Sequence, residues 1–170
     1  MLSIWHNISG RTGTVPLGAV LVRAGLERAF EGDPARSFAH SHTYCGNPIA
    51  CAAALAGLDL LTEEGGTLAQ LPGRIDALAQ RRREVARRCP AVVAHRQAGM
   101  IAAFDLDPRA TAKVEGGRVG LALRAAALER GVLLRPLGGT AYWMPPLLVD
   151  DDALDQLADA TAGAIAQVCA

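Results

Sequence analysis

The chain has 170 residues, the size of one ordinary domain, and its 51% apolar and 20% charged content supplies a core and excludes global disorder. Basic and acidic side chains number 17 each, for a formal net charge of +0. That balance speaks against a nucleic-acid partner or a polybasic membrane surface, both of which need a cationic face. Within the basic count Lys113 is the only lysine, so any amine chemistry must use it or do without.

No stretch approaches the roughly 20 apolar residues that span a bilayer. The start, with Trp5, His6 and Asn7, lacks the charged-then-apolar layout of an export signal, which makes the cytoplasm the expected compartment. Cys45, Cys51, Cys89 and Cys169 form no C-x-x-C pair, and buried thiols are expected.

In chain order, residues 9–14 (SGRTGT) are glycine-rich loop material, and residues 14–22 (TVPLGAVLV) read as a buried strand interrupted near Pro16. Residues 26–30 fit a helical turn or two. Residues 37–48 (SFAHSHTYCGNP) end in a helix start, with Asn47 as N-cap and Pro48 at the first helical position. The helix that follows (IACAAALAGLDLL) is apolar nearly all round and is expected to be buried. It ends at residues 63–66. This first part holds one strand and one apolar helix that cannot cover each other, the pattern of a piece of a larger sheet domain.

From Thr67 the pattern changes. A long amphipathic helix is marked on one face by Leu68, Leu71, Ile75, Leu78 and Val85, with Arg81–Arg83, Arg87 and Arg88 as its solvated side, and Pro90 stops it. Two strands are expected at 92–96 and 100–105 across a tight connection, then a helix at 119–130 closed by Gly131. Two more short strands are expected at 132–135 and 141–144. A last helix starts at the acids 150–152, which suit the helix dipole, and runs to about Val168. The order α-β-β-α-β-β-α predicts helices covering one face of an antiparallel sheet.

Three places carry candidate chemistry. The loop with His40, His42, Thr43 and Tyr44 lies just before a helix N-terminus, where backbone N–H groups favour a phosphate or carboxylate and the Thr43 hydroxyl is a further donor; simple capping of the helix by Thr43 and Asn47 is the competing reading. His40 and His42 form an H-x-H pair, but no third zinc ligand is positioned nearby, so no metal is expected. Arg135 ends a predicted strand, and Tyr142, Trp143 and Met144 return beside it, giving a guanidinium with aromatic and apolar walls, suited to a carboxylate on an aliphatic chain. The loop SGRTGT fits neither common phosphate-loop pattern.

Three segments in order, SGRTGTVPLGAVLV, FAHSHTYCGNPIACAAALAGLDLL and GVLLRPLGGTAYWMPPLLVD, resemble the C-terminal part of class III pyridoxal-phosphate aminotransferases. The H-T-Y-x-G-N-P-x-A-C-A-A-A block carries the class. The R-P-x-x-x-x-x-Y-x-M-P-P block from Arg135 to Pro146 is most similar to the biotin-pathway branch, which moves an amino group from S-adenosylmethionine to 8-amino-7-oxononanoate. The resemblance implies an α/β fold of the type I pyridoxal-phosphate transferases, with residues 1–62 a remnant of the large domain and 63–170 an α+β C-terminal small domain. It implies pyridoxal phosphate as cofactor and a homodimer, or pairing with a full-length subunit. Residue by residue, it implies that Thr43 donates to the cofactor phosphate and that the backbone at His42 lies by the cofactor. Ser41 lines the substrate pocket, Arg135 binds the substrate carboxylate and Tyr142 walls it.

The family's Schiff-base lysine falls a few residues before the Pro-Leu that matches Pro16-Leu17, at or near Ile8, where this chain has no lysine. The residues ahead of Ser9 show no resemblance either, and a truncated or shifted reading frame accounts for both. The isolated chain is therefore expected to be inactive, because a transaminase needs that amine for covalent cofactor chemistry. Two alternatives stand beside this reading: a non-catalytic module that pairs with a full-length aminotransferase, and another class III enzyme acting on ω-amino acids.

Overall fold

The computed structural model describes residues 4–6, 17–21, 23–38, 43 and 45–170, which fall in two units, Met1–Gly66 and Thr67–Ala170. In the first unit β1 (Ile4–His6) pairs antiparallel with β2 (Ala19–Leu21), Trp5 opposite Val20. The strand expected within 14–22 thus has a partner that the sequence pattern does not announce. Two 3₁₀ turns follow, Glu27–Phe30 and Pro34–Arg36, and Asp33 caps the second by accepting from the Ala35 amide at 2.9 Å. Helix α1 (Pro48–Thr62) begins as its sequence dictates, with Pro48 in the first turn and the Asn47 side chain accepting from the amides of Ile49 and Ala50.

Burial of α1 differs from expectation. Only Ala50 and Ala54 are buried, while Ile49, Leu55, Leu58 and Leu60 are all exposed. An apolar circumference makes a helix able to be buried; whether it is depends on what packs around it.

The second unit is a three-stranded antiparallel sheet, β3 (Val92–Ala98), β4 (Ile101–Leu106) and β5 (Thr140–Trp143), in the order β3-β4-β5. Helices α2 (Thr67–Arg88), α3 (Val119–Leu128) and α4 (Asp151–Cys169) complete it. Strand alternation selects the core face: Ala102, Phe104 and Leu106 of β4 point inward with Ala141 and Trp143 of β5. They meet Leu78 and Val85 of α2, Leu123 and Ala127 of α3, and Leu154 and Ile165 of α4 in one buried cluster. The Trp143 ring packs edge-on against Phe104 at 4.8 Å, and its indole N–H donates to the buried Thr161 hydroxyl at 2.9 Å, so the polar edge of a buried aromatic is satisfied.

Three expectations are corrected here. Residues 132–135 form no strand. They run beside the sheet without joining its ladder, and Pro136, which has no N–H, is followed by a single bridge, Leu137 to Thr140. The arginine run of α2 is not simply a solvated side. Arg81 donates to Asp155 at 2.8 Å and reaches Asp151 at 3.2 Å, and Arg88 meets Asp159 at 2.6 Å. These acids recur every four residues along α4, one face of a helix, so the two helices are laced together along their length. Nor are the cysteines all buried thiols as expected: Cys89 is buried and Cys169 half-buried, but Cys45 and Cys51 are exposed.

Helix α3 closes as expected. Gly131 has φ of +78°, the left-handed conformation that ends helices, and the Val132 amide donates back to the Ala127 carbonyl at 3.1 Å. Helix α4 starts where its acids placed it, the Asp150 carboxylate accepting from the Ala153 amide at 2.7 Å.

Candidate functional site

Residues expected to bind a ligand fall in both units. In the first, Thr43 lies in an exposed turn four residues ahead of the Asn47 cap. Asn47, rather than Thr43, satisfies the first amides of α1, which leaves the Thr43 hydroxyl out of the capping role. Ser41 and His42 lie outside the described residues, as do His40 and Tyr44.

In the second unit Arg135 and Tyr142 come together in an open cleft of about 360 Å³. Arg135 stands at the end of the extended run ahead of Pro136, and Tyr142 is half-buried on β5, a strand at the edge of the sheet. Opposite them is the start of α3. Gly120 makes that approach possible: a side chain there would meet the Gly138 carbonyl at 3.1 Å and Pro136 at 3.5 Å. The turn bearing Arg135 is therefore held against the first turn of the helix by the absence of one Cβ.

The walls differ from those the sequence suggested. Trp143 follows Tyr142 on a strand, so it points to the opposite face, is 1% exposed, and belongs to the core. Met144 is exposed and does not line the cleft. The apolar lining comes instead from Val119, Leu121, Pro136 and Leu137. Two cations that sequence reasoning missed share the cleft, Arg118 and Arg124. Arg124 follows Gly120 by one helical turn, and long side chains on a helix lean toward its N-terminus, so Arg124 covers the surface that Gly120 leaves open. A cleft with guanidinium groups, a tyrosine and aliphatic walls suits an acid group on an apolar chain.

On the same face of the sheet as Tyr142, polar contacts tie the strands together. Asp105 accepts from the Thr140 hydroxyl at 2.8 Å and pairs with Arg96 across the strands. The Arg96 hydrogen bond, then that of Thr140, holds the Asp105 carboxyl below its ordinary range. Next to it, Ala103 stands opposite Tyr142 in the β4–β5 register, so the ties fix the strand that carries the tyrosine.

Comparison with known proteins identifies the family to which this geometry belongs. Residues 9–165 match the model of the class-III aminotransferases. The chain belongs to that family. An adenosylmethionine-8-amino-7-oxononanoate aminotransferase of Nitratidesulfovibrio vulgaris is 38% identical over 99% of this chain and 31% of its own length. That match takes in residues ahead of Ser9, where motifs alone gave no resemblance. Among solved structures, an adenosylmethionine-8-amino-7-oxononanoate aminotransferase of Methanocaldococcus jannaschii superposes with a TM-score of 0.81 at 25% identity, over 97% of this chain and 38% of that one. A pyridoxal-phosphate-bound aminotransferase mutant of Vibrio fluvialis gives 0.82 at 25% identity, over 98% and 37%. The fold is therefore that of the type I pyridoxal-phosphate transferases, and pyridoxal phosphate is the cofactor of the class. The chain spans about a third of the length of the curated relatives it matches.

The chain's own residues meet that cofactor's needs only in part. Thr43 offers an exposed hydroxyl next to a helix start, which fits a phosphate. A Schiff base needs a lysine, and the single lysine, Lys113, lies in the second unit with its ammonium donating to the Ala170 carbonyl at 3.3 Å. The stretch at and around Ile8, where the resemblance places the Schiff-base lysine, holds no lysine. No helix among the described residues is long and apolar enough to cross a membrane.

Proposed function

We propose that this chain is the C-terminal part of a biotin-pathway aminotransferase, the enzyme that moves an amino group from S-adenosylmethionine to 8-amino-7-oxononanoate. The observation that carries the reading is the cleft itself: Arg135 and Tyr142, on either side of the Pro136–Gly139 turn, share one mouth with aliphatic walls. That is what a nonanoate tail requires, a two-pronged cation for the carboxylate and an apolar path for the methylenes. The 38% identity to an aminotransferase of that name supports the same substrate. In this reading Arg135 anchors the carboxylate and Tyr142 walls the chain of carbons. Thr43 donates to the cofactor phosphate, with Ser41 and the His42 backbone beside it.

The reading extends to assembly. The working protein is a cytoplasmic homodimer, and the exposed apolar side of α1 is surface that such an assembly covers. By itself the chain does not transaminate, because it carries no lysine at the family position.

The test is binding rather than turnover. Titrating the purified chain with 8-amino-7-oxononanoate, followed by NMR, is expected to shift the resonances around Arg135 and Tyr142. Arg135→Ala is expected to weaken binding at least tenfold, the loss of a charge-assisted pair worth roughly 1.5–3 kcal/mol. Binding that ignores Arg135→Ala overturns the reading.

A further inference from the structure

Arg135 has company that its proposed task does not explain. Arg118 precedes α3 and Arg124 lies on its second turn, and both line the cleft that Arg135 enters from the other side. None of the described residues that line this cleft is acidic. The ion pairs among the described residues involve Arg81, Arg88, Arg96 and Arg130, and none reaches Arg118, Arg124 or Arg135. Glu115, the acid nearest in sequence, sits on the 3₁₀ turn ahead of Arg118 and is not part of the lining.

Elsewhere in the unit, three arginines face a carboxylate directly. On α2 the guanidinium groups of Arg81 and Arg88 each meet a carboxylate of α4, and Arg96 meets Asp105. A chain with equal numbers of acids and bases has carboxylates available for pairing, yet none is among the described residues that line the cleft. Three like charges around one opening repel each other and raise the local concentration of anions. One monocarboxylate occupies one bidentate guanidinium and leaves the other two uncompensated.

We infer that Arg118 and Arg124 form a second anion subsite, so that the cleft takes a ligand with two acid groups, one on Arg135 and the other on the α3 pair. The substrate class this adds is the aliphatic diacids, with the hydrocarbon between the two groups lying along Leu121 and Leu137. The inference rests on the proposed role of Arg135 and goes beyond it, since a single carboxylate needs neither Arg118 nor Arg124. In chemical terms the two residues are specificity-determining: they distinguish ligands by the charge at the far end.

The test uses the full 170-residue chain and simple acids. Dissociation constants are measured by calorimetry or NMR for succinate, glutarate and adipate, and for butyrate, valerate and hexanoate. The tightest diacid is expected to bind at least tenfold better than the monoacid of its length. In Arg118→Gln/Arg124→Gln that preference is expected to vanish, with diacid affinity falling to that of the monoacid of the same length. Both positions are exposed, and circular dichroism checks that the variant is folded. The Lys/Lys variant, which keeps the charge, is expected to retain part of the preference and guards against a variant that fails to fold. Equal binding of diacids and monoacids overturns the inference and leaves the Arg135 reading standing. A preference that survives removal of both arginines also overturns it. If no acid of either kind binds, both readings fall together.

Discussion

Helices α1 and α4 are both rich in alanine, yet they use their apolar surface in opposite ways. Helix α4 buries Leu154, Ala158, Ala160, Thr161, Ala162, Ala164 and Ile165 against the sheet and its neighbouring helices. Helix α1 buries Ala50 and Ala54 and exposes the larger Ile49, Leu55, Leu58 and Leu60. The difference lies in partners rather than in composition. Helix α4 has a stripe of aspartates on one side, which fixes the face turned to α2. Its apolar side meets β-strand residues at the right spacing. Helix α1 carries one acid, Asp59, and has no comparable stripe to orient it. One unit closes its own core, and the other leaves the large apolar side chains of α1 exposed.

Removing the centre of the closed core is the strongest way to break that contrast. Trp143→Ala deletes a fully buried ring, its edge contact with Phe104 and its hydrogen bond to Thr161. It is expected to destabilise the Thr67–Ala170 unit by about 3–5 kcal/mol, as large aromatic truncations do. Urea unfolding monitored by circular dichroism measures this, with hydrogen exchange reporting the units separately. Exchange in α1 is expected to be unchanged. A loss shared equally by α1 would show that the two units unfold together.

A chemical probe sharpens the same comparison without altering the chain. Cys45 and Cys51 are exposed in the first unit, whereas Cys89 is buried in the second, its Sγ 3.8 Å from the Ala162 carbonyl. Burial also pushes the Cys89 thiol above its ordinary pKa, which lowers the reactive thiolate fraction. Alkylation with iodoacetamide at neutral pH, read by mass spectrometry, is expected to label Cys45 and Cys51 at least tenfold faster than Cys89. Comparable rates would mean that the second unit opens readily at its α2–α4 seam.

The second unit is more fully legible in the sequence than the first, for physical reasons that particular residues make plain. Caps are local, so Asn47–Pro48, Asp150 and Gly131 announce helix ends without any tertiary contact. Strand-like composition and the tight Gln97–Gly99 connection are local too, and they place β3 and β4. Pairing is not local. The β1 partner of β2 and the Asp151, Asp155 and Asp159 partners of the arginine run are invisible in the sequence, because each depends on which elements the fold brings together. The run 132–135 has strand-like composition, but Leu134 packs into the core and only Leu137, beyond Pro136, bridges to β5. The cleft is legible at Arg135 and Tyr142 through chemistry and motif. Trp143 cannot share a wall with Tyr142, because consecutive strand residues face opposite sides. Arg118 and Arg124 look like ordinary helix-surface charge until the fold sets them across from Arg135.

The smallest effect concerns the outer face of the closed unit, where its stability meets the cleft. Asp105 is hydrogen-bonded by Arg96 and Thr140, and both hold its carboxyl below its ordinary value of roughly 3.9. With the folded pKa lowered, the stabilisation is complete above the unfolded value and is lost as pH falls through the folded one. Asp105→Asn keeps an acceptor for Thr140 but removes the charge that pairs with Arg96. Since Arg96 is mostly exposed, the expected cost at neutral pH is about 0.5–1 kcal/mol, within the range of surface ion pairs. The sign is the sharper measurement. Between about pH 5 and pH 2, urea midpoints of the parent chain should fall more steeply than those of Asp105→Asn, and the two curves should converge at the acid end. A variant that remains equally inferior at every pH would show that Asp105 acts through hydrogen-bond geometry rather than charge. The outer face would then hold β5, and with it Tyr142, by shape alone.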